Sequence, residues 1–272
     1  MMKNLIKPIL FFVFLFFGTQ IFADNLKEGN RLFDEGQYKE AMGFLMKPDA
    51  QRDPSAMNLI GYMYDTGSGV KRNPEKALYW YQKAAKLGLP AAQFNLGLMY
   101  QHGEIVSKNL LEAARWFHKA ADQNYPDAEM KMGYLTVTGT GVKKDYLESM
   151  KWYRKAAEHG EKEAYGYIGL FYAKGFGVKR DLNHAVQYYV LGAQKGDAKS
   201  QVLLANAYSR AKGIGYDPEK ALYWYKESAK NGSIEAMKEL GYIYETGKLG
   251  VKKDLQEAQL WKNMAEKASE KR

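Results

Sequence analysis

A 36-residue step recurs along most of this 272-residue chain, and it constrains the fold more than any other feature. Small residues recur at this step on one grid: Ala56, Ala92, Ala128, Ala164, Ser200 and Ala236. A second grid of the same step holds Gly88, Asn124, Gly160, Gly196 and Gly232. A regular step of this length is typical of solenoids, in which small units stack in a row and each contacts its neighbours. The step therefore predicts a solenoid of six units.

The first unit predicts two helices joined by a glycine turn. Ala56, Ile60 and Tyr64 recur at helical spacing, so we expect this stretch to form one helix, called helix A. Gly67 and Gly69 then break the helix, because glycine accepts a positive φ without steric penalty. A second apolar stripe of helical spacing follows the turn and predicts helix B.

Helix B begins at a capping residue in every unit. These caps are short side chains that can accept an orphan backbone N–H: Asn73, Asn109, Asp145, Asp181, Asp217 and Asp254. An aromatic doublet follows each of the first five caps, and four of the five tryptophans lie in it: Trp80-Tyr81, Trp116-Phe117, Trp152-Tyr153, Tyr188-Tyr189 and Trp224-Tyr225. The sixth unit has Trp261-Lys262 at this place. We expect the large rings to form the core between helices.

Taken together, these residues resemble the Sel-one-like repeat, a variant of the tetratricopeptide repeat. The third unit carries the pattern almost whole, at Ala128, Gly133, Gly139, Gly141, Val142, Asp145, Trp152, Tyr153, Ala156, Ala157 and Gly160. The resemblance covers about residues 54–268. It implies an all-α, right-handed helix-turn-helix solenoid that serves as a scaffold for protein–protein interaction.

The chain is expected to have three parts. Residues 1–23 read as a signal peptide, with Lys3 and Lys7 before an apolar run and cleavage after Ala23. The alternative is an uncleaved N-terminal anchor. Residues 24–53 predict a capping helical hairpin, and residues 54–272 predict six repeats with a charged C-terminal end. These features predict a bacterial protein that is periplasmic or secreted, with no transmembrane span once the signal is removed.

Composition argues against several kinds of site. Cysteine is absent, which excludes disulfides and thiolate metal sites. The formal net charge of +9 is scattered along the chain, unlike a nucleic-acid-binding arm, so no nucleic-acid partner is expected. None of the histidines has a second histidine at metal-ligand spacing on a helix: His102, His118, His159 and His184. We therefore expect no metal and no cofactor.

One motif raises the possibility of catalysis. Ser68 and Lys71 spell Ser-x-x-Lys, the arrangement of nucleophile and base in penicillin-binding enzymes and serine β-lactamases. Other units place Thr140, Phe176 or Leu249 in the serine position, which favours a variable turn residue. We expect no enzyme activity; a hydrolase or binding protein acting on β-lactams or peptidoglycan is the alternative.

The variable positions of helix A are the candidate partner-binding residues. In tetratricopeptide-like solenoids helix A lines the inner curve, and the resemblance places these residues, called the groove positions, along a concave groove: Asn58, Tyr62, Asp65, Phe94, Leu98, Gln101, Met130, Tyr134 and Tyr242. This aromatic, methionine and amide surface suits an extended peptide or protein segment. The alternative is that the side chains pack between neighbouring A helices.

Basic pairs precede helix B in four units and form a second candidate surface, called the ridge: Lys71, Arg72, Lys143, Lys144, Lys179, Arg180, Lys252 and Lys253. Such a ridge predicts weak contact with an anionic envelope surface, and a solvated turn is the alternative. A secreted effector or host-interaction factor would share the same fold and differ in its destination.

Overall fold

The structure is a computed structural model that describes residues 25–270. The predicted signal peptide, its cleavage point after Ala23 and the last two residues lie outside this range. Within it the chain forms α-helices and two short 3₁₀ turns, Ala50–Arg52 and Lys248–Gly250, and no β-strand. No helix in this range combines the length and apolar character that a membrane crossing requires.

Helices A and B alternate as the repeat step predicted. Helix α1 covers residues 25–34 and α2 covers Tyr38–Leu45, both before the first repeat. The A helices are α3 Pro54–Thr66, α5 Pro90–His102, α7 Pro126–Thr138, α9 Glu163–Lys174, α11 Ala198–Ser209 and α13 Ile234–Thr246. The B helices are α4 Pro74–Lys86, α6 Leu110–Ala121, α8 Tyr146–Glu158, α10 Leu182–Gln194, α12 Pro218–Lys230 and α14 Leu255–Glu270.

All six predicted caps lie at the N-terminus of a B helix. The Asn73 side chain accepts a hydrogen bond from the backbone N–H of Lys76, and the Asp145 carboxylate accepts from that of Glu148. The other four caps bond in the same way three residues ahead. A capping bond of this kind contributes about 1 kcal/mol, so the caps fix where each B helix begins.

Each A helix ends where the glycine turn was predicted. Gly67 follows α3 with φ of 79°, a left-handed conformation that glycine adopts at no steric cost. The fifth repeat has Ala211 instead, and its φ is 51°. A left-handed conformation costs an L-residue about 1–2 kcal/mol, so this turn is strained.

Close contact between a helix-A glycine and a helix-B ring explains the strongest part of the repeat pattern. A Cβ placed on Gly133 would lie 2.8 Å from Cε1 of Tyr153, and one on Gly61 would lie 2.7 Å from Cδ1 of Tyr81. Because no Cβ tolerates such distances, glycine is required opposite the second ring of the first four doublets, whereas the fifth repeat has Ala205 at this position. These second rings are more deeply buried than the tryptophans beside them; Trp80 and Trp152 are buried, whereas Trp116, Trp224 and Trp261 are half-buried.

The described residues divide into two compact units, 25–128 and 129–270. In the first, α3 packs on α4, α4 on α5 and α5 on α6, around a core that includes Leu45, Ile60 and Leu96. In the second, the same consecutive packing runs from α8 to α14, and the A helices α9 and α11 also contact each other. Each unit therefore has the layered packing of an all-α helix-pair array.

Candidate functional site

Three groove positions are exposed tyrosines at the same place in three A helices. Tyr62, Tyr134 and Tyr242 are 41%, 51% and 43% exposed. Each tyrosine directly follows the glycine that faces helix B: Gly61 and Gly133 lie against the Tyr81 and Tyr153 rings, and Gly241 lies against Lys262. The tyrosine side chain therefore points away from that contact. Each ring thus presents an exposed face to a partner, and the Tyr62 ring also packs on Phe33, with 5.6 Å between the ring centroids.

Two other groove positions, in the first and second repeats, contact residues of the protein itself. Asn95 Nδ2 donates a hydrogen bond of 3.0 Å to the side-chain oxygen Oδ1 of Asn58, which links α3 to α5. The Phe94 ring is half-buried, with its centroid 5.4 Å from that of Phe117 and 5.5 Å from that of Tyr125. Phe94 therefore contributes to packing between helices as well as to the surface of α5.

A small pocket lies between the first two A helices, and we call it the first pocket. Its volume is about 180 Å³, and its lining includes Asp65, Leu98, His102 and Glu104. Burial raises the pKa of the Asp65 carboxyl, and the neighbouring Arg72 guanidinium opposes the rise. The groove positions Asp65 and Leu98 therefore lie on one concave surface, together with the acidic side chain of Glu104.

The groove positions Met130 and Tyr134 lie in the third repeat, and Tyr242 lies in the sixth. Met130 is half-buried against the core formed by Tyr153 and its neighbours, so it contributes little exposed surface. Tyr242 carries the Lys248 ammonium over its ring, 4.5 Å from the centroid. A cation over a tyrosine face is attracted by the ring quadrupole, and it would present a positive charge beside Tyr242 to any ligand.

All eight ridge residues are exposed at the turns before the B helices. The second residue of two pairs turns back towards helix A: Arg72 Nε donates to the Asp65 carbonyl oxygen at 2.8 Å, and Arg180 Nε donates to that of Ala173 at 3.1 Å. Arg72 also forms a 2.6 Å ion pair with Glu104. The ridge arginines thus belong partly to the helix-A side of the turn.

The Ser-x-x-Lys motif lies in the turn between α3 and α4. The Ser68 hydroxyl is 2.8 Å from the Thr66 hydroxyl, and Thr138 and Thr140 form the same pair two repeats later. Within the described residues, Lys71 makes no hydrogen bond to Ser68. A recurring hydroxyl pair is a turn feature, and the lysine is not placed as a base for the serine.

A polar pair with a buried helix-A member recurs between helix A and the end of helix B, and sequence reasoning did not identify it. Gln123 donates from Nε2 to the Gln93 side-chain oxygen at 2.8 Å, and Asn231 donates from Nδ2 to that of Gln201 at 3.0 Å. In the third repeat the same places hold Glu129, which is fully buried, and His159. Glu129 Oε2 lies 2.7 Å from His159 Nδ1. The sequence signal for this contact is a pair of polar residues 30 positions apart, and it occurs in three repeats.

A second concave site lies in the fourth and fifth repeats, where no groove residue was predicted. It is a pocket of about 480 Å³ between α9, α10 and α11. One sequence signal could have indicated this site: the fourth and fifth repeats carry Lys174 and Arg210 at a position where three other repeats carry threonine. Within residues 25–270, no cluster of three or more His, Asp or Glu side chains forms a candidate metal site.

Family models match the chain in six consecutive segments, described as Sel1 repeats, at residues 54–89, 90–125, 126–161, 162–197, 198–233 and 234–268. The chain belongs to the Sel1 repeat family. Members of this family typically mediate protein–protein interaction and are generally not catalytic. The match confirms the resemblance drawn from the sequence.

Solved structures agree with this assignment. A Sel1 repeat protein from Oxalobacter formigenes is 56% identical, with a TM-score of 0.86 over 89% of this chain and 96% of that chain. A protective antigen present in uropathogenic Escherichia coli strains, with an SLR fold, is 33% identical, with a TM-score of 0.77 over 90% of this chain and 53% of that chain. An immunity protein from Pseudomonas aeruginosa shares the fold at 20% identity, with a TM-score of 0.51 over 71% of this chain and 74% of that chain. A search of curated proteins found no match. The all-α solenoid prediction is confirmed.

Proposed function

We propose that this chain is an exported bacterial scaffold that binds a protein or peptide segment through the exposed helix-A side chains. The observation that carries the proposal is the recurrence of Tyr62, Tyr134 and Tyr242 at one exposed position of helix A. Tyrosine supplies large contact area and a hydrogen-bonding hydroxyl, and it is frequent among residues that dominate interface energy. The family's typical role in protein–protein interaction supports the same function.

The test compares two sets of exposed tyrosines. Alanine at Tyr62, Tyr134 and Tyr242 removes rings from helix A, whereas alanine at Tyr79 and Tyr223 removes rings of similar exposure, 51% and 54%, from helix B. We expect the helix-A variant to bind the partner at least about tenfold more weakly and the helix-B variant to bind within about twofold of the parent. Titration with a partner identified by crosslinking and mass spectrometry gives the affinities, and circular dichroism checks the fold.

The ridge supplies the contrasting variant. Lys143→Ala with Lys144→Ala should change the salt dependence of binding more than its affinity, because exposed charges act mainly through long-range, screened attraction. If this variant abolishes binding while the helix-A variant does not, the partner is an anionic surface and the groove proposal is wrong.

Export is part of the proposal and has its own test. The basic start, apolar run and small residue at Ala23 support cleavage before Asp24. N-terminal sequencing of protein purified from the native cell should read Asp24 first. A mature chain that retains Met1 would show an uncleaved anchor instead, and cell fractionation would separate periplasmic from secreted protein.

A β-lactam hydrolase remains the competing function, and the turn geometry of Ser68 argues against it. Purified protein should not turn over nitrocefin. Saturable hydrolysis that disappears in Ser68→Ala would establish the enzyme reading and remove the scaffold as the main function.

A further inference from the structure

The pocket between the fourth and fifth repeats has an aliphatic floor, and we call it the basic pocket. Its volume of about 480 Å³ falls within the range of ligand-binding sites in proteins. The floor is formed by leucines and alanines from α9, α10 and α11: Leu170, Ala173, Leu182, Ala185, Leu203 and Ala207. An apolar floor of this kind favours an aliphatic side chain over water.

Four cations surround this floor, and no acidic side chain lines the pocket. Lys174 is the last residue of α9, Arg210 directly follows α11, and Arg180 and Lys212 lie in the turns after these two helices. Within residues 25–270, none of the four forms an ion pair with a carboxylate. The four cations therefore share one concave surface without a carboxylate at ion-pair distance; Glu239 lies in a neighbouring pocket that Arg210 also lines.

The first pocket provides an internal comparison, because it occupies the same place three repeats earlier. There the ridge residue Arg72 forms its 2.6 Å ion pair with Glu104. The residues at the same two places in the basic pocket are Arg180 and Lys212. The two places that form an ion pair in the first pocket thus hold two cations in the basic pocket.

The remaining lining differs in the same direction. Asp65 of the first pocket is replaced by Ala173, and His102 is replaced by Arg210. Arg180 is nevertheless held as Arg72 is held, by the bond from its Nε to the helix-A carbonyl oxygen. The position of the Arg180 guanidinium is therefore retained, whereas Lys212 replaces the carboxylate that pairs with Arg72 in the first pocket. An external anion would stabilise like charges that lie this close together.

The surroundings indicate which anion fits. Tyr189 contributes the one aromatic ring of the pocket, and it is buried, so there is no exposed platform on which a nucleic-acid base could stack. Cations spread over two helix ends and two turns match several carboxylates on one chain better than a single phosphate. Guanidinium groups pair well with carboxylates because their N–H groups match the two oxygens.

We propose that the basic pocket binds an acidic segment of a partner protein, with an aliphatic side chain on the floor and Asp or Glu carboxylates against Arg180, Arg210, Lys174 and Lys212. This inference rests on the proposed function and names the chemistry of the partner. It also places part of the binding surface in repeats where no groove residue was predicted from the sequence.

The test uses the purified mature protein and an array of 12-residue synthetic peptides whose acidic, basic and leucine contents vary independently. We expect binding to peptides that combine Asp or Glu with leucine, and weaker binding to peptides with either feature alone. The strongest peptide is then labelled with fluorescein, and its affinity is measured by fluorescence polarisation at low and high salt.

The pocket variant copies residues that other repeats carry at the same places: Arg210→Thr with Lys212→Glu. The control variant, Lys86→Thr with Lys267→Glu, changes the net charge equally at exposed residues outside the ridge and the groove positions. We expect the pocket variant to bind the peptide at least about tenfold more weakly and to lose most of the salt dependence, and the control to stay within about twofold. Thermal unfolding confirms that both variants fold.

Two results would overturn the inference. One is equal affinity of the pocket variant and the control, and the other is binding of inorganic phosphate or phosphatidylglycerol vesicles that depends on Arg210 while acidic peptides do not bind. If a partner is still lost on substitution of the helix-A tyrosines but is unaffected by the pocket variant, the basic pocket is not its site and the scaffold function stands. If neither variant affects any partner, both proposals fail.

Discussion

Removing His159 should destabilise the protein because it leaves the Glu129 carboxylate buried without a partner. Glu129 is fully buried, its Oε2 lies 2.7 Å from His159 Nδ1, and its Oε1 has no hydrogen bond. Leaving a buried polar group without its hydrogen-bond partner costs about 1–3 kcal/mol, and more for a charged group. The His159 side chain is 33% exposed, so water can reach the space it leaves. We therefore expect His159→Ala to cost about 2–3 kcal/mol.

The repeats themselves supply the rescue. Glu129→Gln combined with His159→Asn copies the amide pair Gln201–Asn231, whose 3.0 Å hydrogen bond occupies the same place in the fifth repeat. The double variant should lie within about 1 kcal/mol of the parent, because the amide pair restores a hydrogen bond to the buried helix-A side chain. Coupling between the two substitutions should appear in a double-mutant cycle.

Urea unfolding monitored by circular dichroism at neutral pH measures these differences, with the slope of each transition compared across variants. A cost below about 0.5 kcal/mol for His159→Ala would mean that the carboxylate is hydrated or paired elsewhere. A double variant no more stable than His159→Ala would show that the pair does not act as a unit.

Three further substitutions test local features, each by thermal or urea unfolding. Gly133→Ala places a Cβ 2.8 Å from the Tyr153 ring and should cost about 1–3 kcal/mol. Gly43→Ala, at an exposed position of α2 where the new Cβ meets no atom within 4 Å, should instead stabilise by about 0.5–1 kcal/mol. Ala211→Gly should stabilise by up to about 1 kcal/mol, because relief of the left-handed strain exceeds the added freedom of the unfolded chain. Because burial raises the pKa of Asp65 in the folded state, stability falls as the pH rises through that raised pKa; Asp65→Asn should therefore raise Tm at neutral pH, with the gain disappearing in acid, where both states hold the proton.

The repeat step made the fold readable from sequence because each structural role recurs in several units. The caps at Asn73 and Asp145 and the break at Gly67 depend on local backbone chemistry, which residue type alone indicates. The pairing of Gly133 with Tyr153 required coordinates, because sequence spacing does not tell which ring faces which glycine.

The candidate sites were less accessible from sequence for the opposite reason. A recurring pattern draws attention to residues that repeat, whereas the basic pocket depends on residues such as Arg210 and Lys212 that depart from the pattern. The pairing of Glu129 with His159 likewise joins two variable positions on different helices. Charge at such positions becomes informative once the fold shows which of them face each other.

Site-specific photocrosslinking in the native cell tests most directly whether this protein is a scaffold that binds through helix A. A benzophenone amino acid would replace Tyr134 or Tyr242 on helix A, and Tyr79 or Tyr223 on helix B, all of them exposed. The account predicts that the same partner protein, identified by mass spectrometry, is captured from both helix-A positions and from neither helix-B position. Capture of that partner from Tyr79 and Tyr223 alone, with none from helix A, would contradict the account.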